Sequence, residues 1–104
     1  MGLWLRTLSG LSAAAERMGK VASRKELIRA IDLILSGEND KAHAIVQKND
    51  TDANACYIHA VLHRLEGDKE NAKYWYGRAG HHEWPASDPE GQLLRLRDDL
   101  LFQP

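Results

Sequence analysis

The feature that most limits how this chain can fold is a pattern that returns after 30 residues. Shifted by that amount, Leu35 falls on Leu65, Gly37 on Gly67, Ala42 on Ala72, Ile45 on Trp75 and Val46 on Tyr76, while Ile28 and Ile31 fall on Ile58 and Val61. A turn glycine followed five residues later by alanine, with apolar residues at helical spacing on both sides, describes two helices joined by a tight turn, made twice. The alanine matters because a small side chain at a crossing lets two helix backbones approach closely. Composition agrees with helices: Leu occurs 14 times and Ala 13 times, against 10 for Val, Ile and Thr together, the β-branched residues that line strands.

Start and stop signals divide the chain further. Ser23-Arg24-Lys25-Glu26 reads as a capping box, serine and glutamate each satisfying the other's backbone. Leu27, Ile28, Ile31, Ile34 and Leu35 then share one helical face until Gly37 supplies the left-handed residue that ends the helix. A second helix is expected from about Asp40 to Asn49, with Ala42, Ile45 and Val46 inward. A third opens near Thr51 or Asp52, buries Tyr57, Ile58, Val61, Leu62 and Leu65, and stops at Gly67. Asp68 caps a fourth, which turns Ala72, Trp75, Tyr76 and Ala79 to one side and ends at Gly80. Beyond a loop of about seven residues, Ser87-Asp88-Pro89-Glu90 opens a fifth whose apolar side is Leu93, Leu94, Leu96, Leu100 and Leu101.

The second copy resembles the tetratricopeptide repeat. Ala60 stands at the small crossing position of that repeat's first helix and Gly67 at its turn. Ala72, Tyr76 and Ala79 stand at the small, aromatic and small positions of its second helix, and Pro85 lies one residue late for the terminating proline. The resemblance covers roughly residues 25–86, with a period of 30 against the family's 34. Cys56 stands where the family often has tryptophan, and His59 and His63 where leucine and tyrosine are usual. The block from His59 to Asp68, with Asn71-Ala72-Lys73-Tyr74-Trp75-Tyr76 and Arg78-Ala79-Gly80, is also similar to small uncharacterised microbial proteins of helical type, a likeness that bears on the fold alone. What the tetratricopeptide resemblance implies is an interaction module, its groove facing a partner with Asn54, Tyr57, Val61, Arg64 and Leu65 of the third helix. Trp84, in the loop His81-His82-Glu83-Trp84-Pro85, is a further candidate for partner contact, or else seals the junction to the last helix.

Two such hairpins are too few to stand alone, since about three repeats are usually needed. The flanks are therefore expected to complete the interior. In the first flank Trp4, Leu8, Leu11, Ala15, Met18 and Ala22 alternate at steps of four and three, a seam for helix packing or for self-association. Membrane contact through residues 1–22 is the weaker reading. Residues 1–24 carry Arg6, Arg17, Lys20 and Arg24 against Glu16, but Ala13, Ala14 and Ala15 make the apolar face shallow. The start fits neither a secretory signal nor the myristoylation pattern, and a single cysteine allows no internal disulfide, so a cytoplasmic protein is expected. Fourteen basic against 15 acidic residues give a net charge of −1, without the basic excess of a nucleic-acid binder.

Chemistry enters on the third helix. Cys56, His59, His63 and Glu66 fall within an arc of about 80°, because each residue turns the helix by about 100°. Histidines four apart can share one metal ion, and thiolate and carboxylate are ligands too. One straight helix does not close a four-ligand site, however, and a metal would recruit from elsewhere, from His81, His82 or Glu83. The competing reading packs Cys56, His59 and His63 against the fourth helix as hydrogen-bonded interior residues. No glycine-rich phosphate loop, serine elbow or HExxH pattern occurs, and no catalytic residue is assigned.

The reading is thus all-α: one domain of about five helices, with tetratricopeptide-like hairpins at 23–50 and 51–86, a flanking helix at 1–22 and a capping helix at 87–104. It is expected to be non-enzymatic and without a cofactor. Its partner would be a protein, a peptide or a second copy of itself. The alternative is a small metal- or ligand-binding protein built on the Cys56, His59, His63 and Glu66 stripe.

Overall fold

The computed structural model describes residues 22–102. They form five helices: α1 (Arg24–Leu35), α2 (Asn39–Gln47), α3 (Ala53–Leu65), α4 (Lys69–Arg78) and α5 (Pro89–Leu101). No strand occurs among the described residues, so the class is all-α. The flanking helix expected over 1–22, its packing seam and its membrane contact lie outside the described residues except at Ala22. None of the described helices is long and apolar enough to cross a membrane.

Four of the five described helices start where a side-chain oxygen replaces a missing backbone partner, and only α2, which follows Glu38, has no such cap. Ser23 Oγ accepts from the Glu26 amide, Asp52 Oδ1 from Ala55, Asp68 Oδ1 from Asn71 and Asp88 Oδ1 from Gly91. Asp88, one residue later than Ser87, is the N-cap of α5, with Pro89 in its first turn. The Glu26 carboxylate, expected to close a capping box, takes the Asn49 side-chain amide at 3.0 Å and ties the start of α1 to the end of α2. Asp52 Oδ2 likewise accepts the buried Ala22 amide at 2.9 Å, which ties the chain before α1 to the start of α3.

The two equivalent turns have one construction. Gly37 and Gly67 take φ of +87° and +82°, and the residue after each sends its amide back to the third-last residue of the helix. These bonds, Glu38 to Leu33 and Asp68 to His63, satisfy carbonyls that the helix end leaves unpaired.

Helix α1 packs on α2 and α3 on α4, while α2 also meets α3. Ile31, Val46, Ile58, Val61, Leu62, Tyr76 and Leu93 fill the interior, with Ala30, Ala42, Ala60 and Ala72 fully buried where helices meet. The last helix, expected from sequence to be a capping helix, does not pack on the second pair alone. It lies across α1 and α3, the first helix of each pair. Leu93 and Leu100 are buried there and Leu96 half-buried, while Leu94 and Leu101 remain exposed. Arg97 Nε meets Asp32 Oδ1 at 2.7 Å on the α1 side. On the α3 side, buried Gln92 is the fixed point. Its oxygen accepts from Arg64 Nη1 at 2.7 Å and Tyr76 Oη at 3.0 Å, and its nitrogen donates to Tyr57 Oη at 2.9 Å.

Candidate functional site

Among the described residues two places carry polar chemistry, one on either side of α3. The first lies between α2 and α3. The one-turn spacing of His59 and His63 stacks their rings, with centroids 4.9 Å apart and planes 21° apart. His43 of α2 presents its ring edge to both, and its Nε2 lies 2.8 Å from His59 Nε2, one nitrogen donating and the other accepting. One ring nitrogen from each of His43, His59 and His63 lies within 4.8 Å of the others.

His59 is 3% exposed, with Trp75 of α4 stacked on its ring at 4.0 Å. Burial pushes its pKa down to about 4, and the neighbouring His43 and His63 push the same way, so it is neutral at physiological pH. Its Nδ1 is buried without a hydrogen-bond partner, which costs roughly 1–3 kcal/mol for a neutral group. The Glu66 carboxylate stands 3.1 Å from His63 Nδ1, within ion-pair reach, yet that nitrogen too lacks an aligned hydrogen bond.

The expected stripe is thus divided. His59, His63 and Glu66 come together, whereas Cys56 points elsewhere. Its thiol donates to the Asp50 carbonyl at 3.2 Å, beside Arg78, which donates to the same carbonyl at 2.9 Å. Burial pushes the Cys56 thiol pKa up, away from the thiolate that a metal requires. Of the suggested recruits, His81 lies against Tyr57 at 4.9 Å, across α3 from the cluster. His82 lines a depression with Lys73, Tyr76, Glu83 and Trp84. The third imidazole comes instead from His43. It follows the inward Ala42 by one residue, about 100° around the helix, so nothing in the sequence of α2 alone marks it as a partner of His59 and His63.

The second place is a cleft of about 360 Å³ between the start of α3, the loop after α4 and α5. Asn54, Tyr57, Ser87, Arg95, Leu96 and Asp99 are among its lining residues. Of the residues expected to face a partner, Asn54 and Tyr57 line this cleft. Val61 does not: it is fully buried, and so packs rather than faces a groove. Arg64 donates to the Ser87 carbonyl at 2.8 Å as well as to Gln92, which fastens the loop to α3. Leu65, 47% exposed, edges a shallow depression with Ile34, Leu35, Glu90 and Leu93. Trp84 lies under two cations, Arg64 at 5.0 Å and Lys69 at 5.4 Å, with Tyr76 edge-on to it at 5.6 Å. It is 39% exposed and stands apart from the cleft. The candidate partner residues therefore divide among the interior, a loop anchor and three separate surfaces.

No family model, curated protein or solved structure matches this chain.

Proposed function

We infer that the protein is a non-enzymatic interaction module of tetratricopeptide-like type, which holds a short extended segment of a partner protein in the cleft between α3 and α5. The observation that carries this reading is the cleft itself. At about 360 Å³ it is at the small end of ligand sites, with room for one or two side chains of a partner. A partner helix would need the broader face across α1 and α3, which α5 already covers.

The lining suits a polypeptide. Asn54 and Ser87 can bond a peptide backbone, Leu96 and Pro85 offer apolar contact, and Arg95 and Asp99 present both signs of charge. The floor is rigid, because Tyr57 is held by Gln92 and the loop is held by Arg64. A preorganised wall loses little freedom on binding. The preferred segment places one apolar residue beside charged ones. A second copy of this chain would supply such a segment equally, and light scattering distinguishes the two sources.

A displayed random-peptide library, selected on the full chain and counter-screened on an Asn54→Arg, Arg95→Glu variant, tests the reading. Selected peptides should lose roughly tenfold or more in affinity for the variant, about 1.4 kcal/mol, while its melting temperature is unchanged. Peptides that bind both forms equally, or no enrichment at all, would overturn it.

A further inference from the structure

The histidine cluster is separate from the cleft and has its own chemistry. We propose that His43, His59 and His63 bind one divalent transition-metal ion of the zinc class per chain, fastening the first helix pair to the second. The site rests on convergence. Two ligands on one helix point along nearly parallel lines, but His43 reaches the same space from α2, a different helix of the other pair. Imidazole nitrogens about 2.0–2.1 Å from a tetrahedral ion stand roughly 3.3 Å apart. The His43–His59 contact of 2.8 Å would open by about 0.5 Å, and the widest separation of 4.8 Å would close by about 1.5 Å. Side-chain rotation covers both changes.

Three further observations agree. His59 Nδ1 and His63 Nδ1 make no aligned hydrogen bond to the protein, so packing fixes neither ring's tautomer, and each Nδ1 can carry the proton while the other ring nitrogen binds the ion. Trp75 stacks on His59 and holds its ring in place. The Glu66 carboxylate, 3.1 Å from His63 Nδ1, stands where an outer carboxylate fixes the orientation of a ligand histidine. His43 and His63 are only half-buried, so an ion can enter from solvent. Imidazole ligands favour zinc, copper or nickel over magnesium and calcium, which prefer oxygen. Three protein ligands leave a fourth position for water.

The test uses the full chain without a polyhistidine tag, stripped with chelator and titrated with zinc sulfate against a chromophoric chelator. Cobalt serves in parallel as a spectroscopic substitute. Wild type should take up one zinc per chain and give the visible absorption of tetrahedral cobalt. His43→Gln and His63→Gln, each removing a direct ligand, should weaken zinc binding by more than about a hundredfold, the most that losing an outer partner costs, whereas a His81→Gln, His82→Gln variant should bind as wild type does. His43 and His63 are only half-buried, and the glutamine at 43 retains an amide for His59, so at least one variant should keep the wild-type circular dichroism. Failure of wild type to compete for zinc would overturn the proposal. So would undiminished binding by the folded variants, or loss confined to the His81, His82 variant.

Discussion

The two helix pairs share one backbone plan and differ in what surrounds them. Leu35-Ser36-Gly37-Glu38 and Leu65-Glu66-Gly67-Asp68 make the same turn, and Ala42 and Ala72 are both fully buried five residues beyond the glycine. Yet α1 buries five of its 12 residues, all apolar, whereas its counterpart α3 buries seven of 13, among them Cys56 and His59. The cause is position. Helix α3 meets all four other described helices, whereas α1 meets three, so even the polar residues of α3 are enclosed. Arg29, the counterpart of His59, is exposed, and so is Lys73, the counterpart of His43. The repeat fixes where the chain turns, and the place of each helix in the stack fixes which side chains lose water. Both polar places found among the described residues adjoin α3 for this reason.

The largest expected contrast is at the inward residue shared by α2 and α4. Tyr76→Ala should cost about 4 kcal/mol and Val46→Ala about 2 kcal/mol. Tyr76 loses both a large buried ring and its hydrogen bond to Gln92. Urea denaturation of the two variants measures this, and equal losses would mean that the pairs are energetically alike.

Acid should separate the pairs as well, through His59. Folding lowers its pKa from 6.5 to about 4, so as pH falls the unfolded chain takes up the proton first. Its stabilising contribution is complete above pH 6.5 and is lost progressively down to about pH 4, by roughly 3 kcal/mol in all. In chelator-treated protein, a His59→Phe variant should therefore lose less stability than wild type between pH 7 and pH 4. Parallel pH profiles would contradict the burial of this ring.

At the turns the pairs should behave alike. A Cβ at Gly37 or Gly67 would meet nothing within 4 Å, so alanine pays only for the left-handed backbone, about 1 kcal/mol at each site. Thermal denaturation should give equal shifts for the two variants, and a clear inequality would show that the turns are not equivalent.

Helix ends were legible because their chemistry is local. Ser23, Asp52 and Asp68 cap the helices expected of them, and Gly37, Gly67 and Gly80 end them. Ser87 and Asp88 are both good caps and adjacent, which explains the shift of one residue at α5. The placement of α5 was not legible, since its leucines suit any apolar face. What anchors it is Gln92, a polar residue whose three partners, Tyr57, Arg64 and Tyr76, lie 16 to 35 residues away. His59 and His63 were visible as a spaced pair, but His43 joins them only through the packing of α2 on α3. Periodicity within one helix carries no information about that contact.

Both the cleft and the enclosure of α3 depend on α5 being a fixed wall rather than a detachable tail. Amide hydrogen exchange under native conditions measures this directly. The amides of Leu93 to Leu100 should exchange as slowly as those of Ile58 to Leu62, in the same cooperative unfolding. Exchange in α5 faster by orders of magnitude, with α3 still protected, would contradict the account.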